Sequence, residues 1–243
     1  MTAKHFPFPF PLDQTDITRK REFILSFLCA HDKDFCATPI RALNQATLDA
    51  MLRAYDERYL CGFFERKPGI LRVTHSSRLT SSAGKFVFVK GPFGSIKHAE
   101  IRMSSDFFLR ISKGPFYLNG LTALTPQEAF LMVFEHELCH ALEALFFRST
   151  GHSERFRSLA FGLFGHTETK HRLPTRREDA AKIGLFVGQQ VSFAYHGEIL
   201  SGIIAYIGKT ATVMVPFPGG MYRSSNGIHY EKYRVPLSRL KTL

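Results

Sequence analysis

The chain has 243 residues, 44% of them apolar and 22% charged, enough to bury a core and close to ordinary globular usage. That balance argues against global disorder and a collagen-like chain, and apolar runs such as Phe23–Ala30 fall well short of the about 20 residues a membrane span needs. Lys and Arg exceed Asp and Glu to give a net charge of +11, which favours a polyanionic partner, nucleic acid before an anionic membrane.

The excess is not confined to one tract: 23 basic residues face 17 acidic ones up to Pro174, and nine face four beyond it. Lys4 and His5 open on alternating Phe and Pro, without the apolar run of a signal peptide. A soluble, cytoplasmic or nucleoid-associated protein with no membrane partner is expected. The four cysteines, Cys29, Cys36, Cys61 and Cys139, contain no Cys-x-x-Cys pair, and reduced thiols are expected.

In chain order, the repeated prolines of His5–Pro11 rule out a regular helix. That segment is either a loose tail or a strap whose Phe rings dock on the body. Leu48, Met51, Leu52, Tyr55 and Tyr59 recur at helical spacing and predict a helix over Thr47–Tyr59. Leu71–Thr74, Lys85–Lys90 and Ala99–Met103 read as strands. Thr125-Pro-Gln-Glu128 is a capping box with proline at the first helical position, and it starts a helix expected to run to about Gly151. Ser153 caps a second helix ending at Gly165. The polar, basic stretch His171–Arg177 reads as a linker. Beyond it, Gln190–Tyr195, Ile199–Ile207, Thr210–Val215 and Tyr230–Val235 are short strands at the spacing of a small closed β-barrel. The fold class is α+β.

The chemistry concentrates in His136-Glu-Leu-Cys-His140. A spacing of four puts both imidazoles on one helix face, one turn apart, where both can reach a single Zn²⁺. Glu137 is offset from that face and suits a base that takes a proton from a metal-activated water. Two histidines on an otherwise apolar helix need partners, and a metal supplies them. A catalytic zinc site takes three protein ligands. His152, just past the expected helix end, is the first choice for the third, with His166, His171, Glu143 and Glu154 as competitors. Cys139 points off the ligand face and reads as a core thiol.

The run His136–Ala141, then Gly151–Phe156, then Gly165-His166-Thr167 resembles the SprT-like family of zinc proteases, which includes the Spartan proteases. So do Tyr55 to Tyr59, Arg78, Ala83-Gly84 and Glu100-Ile101-Arg102 upstream. The resemblance covers roughly residues 43–171 and is specific in its second half. It implies a compact zincin-like domain, one catalytic zinc held by His136, His140 and His152, and Glu137 as catalytic base. It also implies a metalloendopeptidase acting on proteins, and Spartan relatives cleave proteins trapped covalently on DNA.

The expected organisation is then a Phe/Pro-rich segment and helix over 1–38, a SprT-like domain over 39–172, a linker over 173–185 and a barrel over 186–243. The barrel stands where relatives carry a cysteine zinc ribbon, so their DNA-sensing residues do not transfer. It resembles SH3-like or KOW-like modules, which bind nucleic acid or protein. Lys209, Arg223, Lys232, Arg234, Arg239 and Lys241, with Tyr195, Tyr206, Tyr222 and Tyr230, are candidates for a basic, aromatic surface. Arg78, Lys85, Lys90, Lys97, His98 and Arg102 form a second basic group near a sheet edge that would receive an extended peptide or steer a DNA-bound substrate. The oxyanion helper is open among His166, His171 and a tyrosine. The alternative to a peptidase is a nucleic-acid-associated protein whose zinc is structural and closed by His166 or His171.

Overall fold

A computed structural model describes residues 6–92 and 95–243, so Lys4 and His5 of the Phe/Pro segment lie outside the described residues. The chain is mixed α+β and divides into two units, Met1–Leu173 and Pro174–Leu243. Among the described residues no helix is long and apolar enough to cross a membrane.

The first unit opens with a docked strap. Phe8 is buried, the Phe6 ring meets Phe146 edge-on at 5.1 Å, and the Leu12 N–H donates to the Gly162 carbonyl at 2.8 Å. The strap follows from apolar rings that gain more by burial than the proline-stiffened backbone loses in freedom. Gly162 makes room for it, since a Cβ there would lie 2.5 Å from the Phe10 ring. Gly162→Ala is therefore expected to release the strap, read as protease cleavage near Phe10 under conditions that leave the parent intact.

Helix α1 (Gln14–His31) is capped by Asp13, whose carboxylate accepts from the Thr15 N–H. The short α2 (Lys33–Cys36) follows at once, and this tight turn sets the Cα atoms of Cys29 and Cys36 4.8 Å apart, where they form a disulfide. The expectation of four reduced thiols is thereby corrected: the pairing depends on a helix-to-helix turn that spacing does not reveal. Cys61 and Cys139 are free, one exposed and one buried. Helix α3 (Gln45–Leu60) buries Leu48, Met51, Tyr55 and Tyr59 on the stripe its periodicity predicts, and it packs on α1 and on β1 (Leu71–Ser76).

With β2 (Gly84–Lys90) and β3 (Ile96–Ser104), β1 makes a three-stranded sheet in the order β1-β3-β2, parallel between β1 and β3 and antiparallel between β3 and β2. Strand β2 is thus an edge. The short α4 (Ser105–Phe108) leads to β4 (Phe116–Leu118) and β5 (Leu121–Ala123), joined by an Asn119-Gly120 turn with both residues at positive φ, 55° and 81°. That is the combination a two-residue hairpin requires.

Helix α5 (Pro126–Phe147) runs through the core with Phe130, Leu131, Val133, Phe134, Leu138, Ala141 and Leu142 fully buried, and its capping box is complete. It ends on Arg148 in the left-handed region (φ 55°), earlier than the Gly151 expected from sequence. The polar run from Arg148 to Gly151 offers nothing to bury, so the chain turns as soon as the apolar stripe stops. Helix α6 (Glu154–Phe164) is capped by Ser153 and closed by Gly165 at φ 71°. Strand β6 (His171–Arg172) then pairs with β4 in a small sheet ordered β5-β4-β6.

In the second unit, the segment read as a linker contains α7 (Arg176–Lys182), with a full Thr175–Glu178 capping box. Ala180 and Leu185 bury themselves in this unit's own core, so the segment is structured rather than a spacer. Strands β7 (Gln190–Tyr195), β8 (Glu198–Ile207), β9 (Ala211–Pro216), β10 (Tyr222–Arg223), β11 (His229–Val235) and β12 (Lys241–Thr242) form one sheet ordered β10-β11-β9-β8-β7-β12. The sheet curls: Tyr195 on β7 meets Tyr233 on β11 at 4.9 Å although β8 and β9 lie between them in the pairing order. It stays open, contrary to the closed barrel expected. Its terminal strands β10 and β12 are two residues each and offer too few backbone groups to bond the ends together.

Candidate metal centre

One turn of α5 and the entry to α6 make the site. His136 and His140 project from the same face of α5, and His152 precedes the α6 N-cap. One ring nitrogen from each lies within 4.8 Å of the others, and Nε2 of His152 is 3.1 Å from Nε2 of His136. The group grades from core to solvent: His136 is buried, His140 half-buried and His152 exposed. Phe156, one turn into α6, packs against all three rings at centroid distances of 4.9, 4.4 and 4.9 Å.

Two contacts fix the third histidine. The Ser153 hydroxyl donates to Glu143 Oε1, tying the start of α6 to the buried flank of α5, and the Arg157 guanidinium donates to the His152 carbonyl at 3.0 Å. Glu143, a competitor for the third ligand, is therefore a tether, and Glu154 is an exposed first-turn residue of α6 outside the group.

The donor set suits a metal ion. Burial, with neighbouring His171 next, pushes the His136 imidazolium far below its ordinary range, and burial with His152 holds His140 down to about 4. Both are neutral near pH 7, the form in which imidazole ligates. His136 Nδ1 is buried without a hydrogen-bond partner among the described residues. These two imidazoles and that of His152 could together hold one metal ion, and His152→Ala is expected to lower the metal bound per chain, read by elemental analysis after dialysis.

Glu137 lies on the adjacent face of α5, against edge strand β2. Burial pushes its carboxyl up to about 7, opposed by a hydrogen bond from the Phe86 backbone N–H. Only glycine fits opposite: a Cβ on Gly84 would stand 2.8 Å from Glu137 Cγ and 2.8 Å from Val133 Cγ1. Gly84→Ala is expected to cost about 1–3 kcal/mol through overpacking against Glu137 and Val133, read as a lower melting temperature.

The remaining histidines separate. His166 is buried with Nε2 2.9 Å from Glu135 Oε2, which removes it from the ligand set and from the oxyanion candidates. The His171 ring packs 4.5 Å from that of His136, and its buried Nε2 has no hydrogen-bond partner among the described residues. Burial, then His166, His152 and His140, lowers its pKa to about 4. Its loop is anchored by Asn119: the Asn119 amide donates to the Met132 carbonyl at 3.0 Å, and its own carbonyl accepts the Thr167 and Glu168 N–H groups. A side chain at Gly120 would collide with the Thr167 hydroxyl, which is why the turn needs glycine there. Tyr55 and Tyr59 are buried and hydrogen-bonded in the core, so neither serves the site directly.

The sequence reading missed a buried ionic cluster behind the site. Glu135, with no exposure, accepts two parallel bonds from Arg21 (2.8 Å each), one from the Tyr55 hydroxyl (2.8 Å) and the His166 contact, while Arg21 also donates to the Phe164 carbonyl. Burial works against the charged form, but the Arg21 guanidinium and the His166 hydrogen bond outweigh it and hold the Glu135 carboxyl down to about 2. The available signal was an acidic residue on the apolar stripe between Phe134 and Leu138. Cys139 is buried, and burial raises its thiol well above the ordinary range, consistent with a core thiol.

Of the basic group on the sheet, Arg102 donates to Glu100 at 2.8 Å, as does Arg72 from outside the group at 3.3 Å, and Arg78, Lys85, Lys90, Lys97 and His98 are exposed. No family model matches the chain, and no curated protein matches it either.

Proposed function

We propose that the chain is a zinc-dependent metallopeptidase with a zincin-like catalytic unit of the SprT-like kind, acting on protein substrates. The observation that carries it is the convergence of three imidazoles from His136, His140 and His152 beside a carboxylate, Glu137, that faces an edge strand. His136, His140 and His152 would hold the ion. When bound, zinc supplies acidification of a water molecule and polarisation of a carbonyl. Glu137 accepts a proton on its carboxylate and returns it to the leaving amine. Edge strand β2, apart from the Phe86 N–H that Glu137 takes, presents backbone N–H and C=O groups that align an extended peptide, and Phe156 keeps the inner side of the histidine cluster dry. The exposed flank at His152 gives substrate its approach.

The test is cleavage of a denatured basic protein by the zinc-loaded chain. Activity lost on chelation and restored by zinc supports the reading; a metal-loaded chain that leaves every peptide bond intact removes it. One observation favours a second reading, a closed structural zinc: the unpartnered His171 Nε2 in a ring against His136. His171→Ala separates them. A structural site loses its metal with His171, whereas a catalytic site held by His136, His140 and His152 keeps it.

The second unit is proposed as an SH3-like module. The curled sheet and the 3-10 turn at Leu237–Arg239, which carries the chain from β11 to β12 beside β7, support that reading.

A further inference from the structure

Where the curled sheet of the second unit fails to close, β7 and β11 face each other across a groove of about 650 Å³. Its lining includes three aromatic rings at the surface: Tyr195 is 46% exposed, Phe217 is 55% exposed, and Tyr233 is half-buried between them and the core. Tyr233 is braced from below by Phe193 at 5.5 Å. The rim carries Lys232, Arg234 and Arg239, all exposed and none in a salt bridge among the described residues. Glu231 is the one acidic side chain in the lining. Of the residues the sequence singled out for a basic, aromatic surface, the structure gathers Tyr195, Lys232, Arg234 and Arg239 here; Tyr206, Tyr222, Tyr230, Lys209, Arg223 and Lys241 lie outside the lining.

We propose that this groove binds single-stranded nucleic acid, with bases stacking on Tyr195, Phe217 and Tyr233 and phosphates paired with Lys232, Arg234 and Arg239. Two features select that partner. Exposed aromatic rings cost free energy in water and are worth keeping where a flat π-face covers them, which an acidic peptide or a bare polyanion lacks. Rim cations outside any salt bridge among the described residues, Lys232 lying over the Tyr222 ring at 5.5 Å, select a partner with repeated negative charge, which a proline-rich peptide lacks. A duplex hides its bases in the stack and cannot offer them to the rings. The site belongs to the second unit alone and does not depend on the metallopeptidase reading.

The experiment measures fluorescence anisotropy of a labelled 20-nucleotide oligo(dT) on the full-length chain, beside an abasic strand of equal length, the matching duplex, and a labelled proline-rich peptide. The oligo(dT) is expected to bind at least about tenfold more tightly than the abasic strand, because stacking is worth a further factor per base. Binding should weaken with salt at a log–log slope near −2, as about three phosphate contacts to a single strand require. Tyr195→Ala combined with Phe217→Ala should weaken oligo(dT) by about tenfold or more and leave the abasic strand unchanged. Both positions are exposed, and an unchanged melting temperature checks that the double variant folds. Equal affinity for abasic and dT strands, tighter binding of duplex or peptide, or a double variant that binds like the parent each overturns the proposal.

Discussion

On the proposed metallopeptidase reading, Glu137→Gln is expected to keep bound zinc and to lose cleavage by about 10²–10⁴-fold, the usual contribution of a positioned general base and acid. The amide has nearly the volume of the carboxyl, so it fits the space between α5 and Gly84, where there is no room for a larger group. What it cannot do is take up a proton and pass it on. The measurement pairs elemental analysis with cleavage of a denatured basic protein. A variant with full metal and the parent's rate would remove Glu137 from the chemistry, and one lacking metal would show that the change disturbed His136 or His140 instead. Failure of both parent and variant to cut would count against the metallopeptidase reading itself, and the nucleic-acid groove would be untouched by that result.

The second large effect lies behind the candidate metal centre. Glu135→Ala is expected to destabilise the first unit by about 3–5 kcal/mol, because it leaves the Arg21 guanidinium desolvated beside a cavity with no counter-charge. For a unit of this size that corresponds to a fall in melting temperature of roughly 6–20 °C. Glu135→Gln, which keeps shape and some hydrogen bonds, should fall between variant and parent. A melting temperature within two degrees or so of the parent for the alanine variant would show that the cluster adds no stability.

The same group predicts an acid limb. Glu135 is held at about 2 by Arg21 and His166 against burial, and Glu100 is held at about 2 by the Arg102 hydrogen bond against burial, helped by Thr74. Both carboxyls have folded-state pKa values below those of the unfolded chain. Their contribution is therefore fully present above the ordinary carboxylate range and is lost as pH falls through it toward about 2. Denaturant titrations between pH 6 and pH 3 should show stability falling toward acid, with a smaller fall in Glu135→Ala. An equal fall in the variant would place the acid sensitivity elsewhere.

Local rules made several features readable in advance. The capping box at Thr125, the helical stripe from Leu48 to Tyr59, the Ser153 cap and the four-residue spacing of His136 and His140 depend on neighbours within one or two turns, which periodicity and capping chemistry report directly. The Asn119-Gly120 turn and the Thr175 capping box were equally local signals that the linker and strand readings passed over. The Cys29–Cys36 disulfide and the early stop at Arg148 turn on how the chain bends between helices, and sequence spacing does not carry that.

By itself, then, the sequence determined the elements and the chemical types: an α+β chain, two imidazoles and a carboxylate on one helix, a basic strand-rich C-terminal part. Only the tertiary structure decided which distant groups meet. It brought His152 to the α5 pair across the helix turn, gave His166 to Glu135 and Arg21, and set Gly84 against Glu137. It also opened the groove between Tyr195 and Tyr233. The physical reason is range: propensity, capping and periodicity act over a few residues. Charge pairing, close packing and sheet curvature join residues such as Arg21 and Glu135 that are 114 positions apart, and only the folded chain places them together.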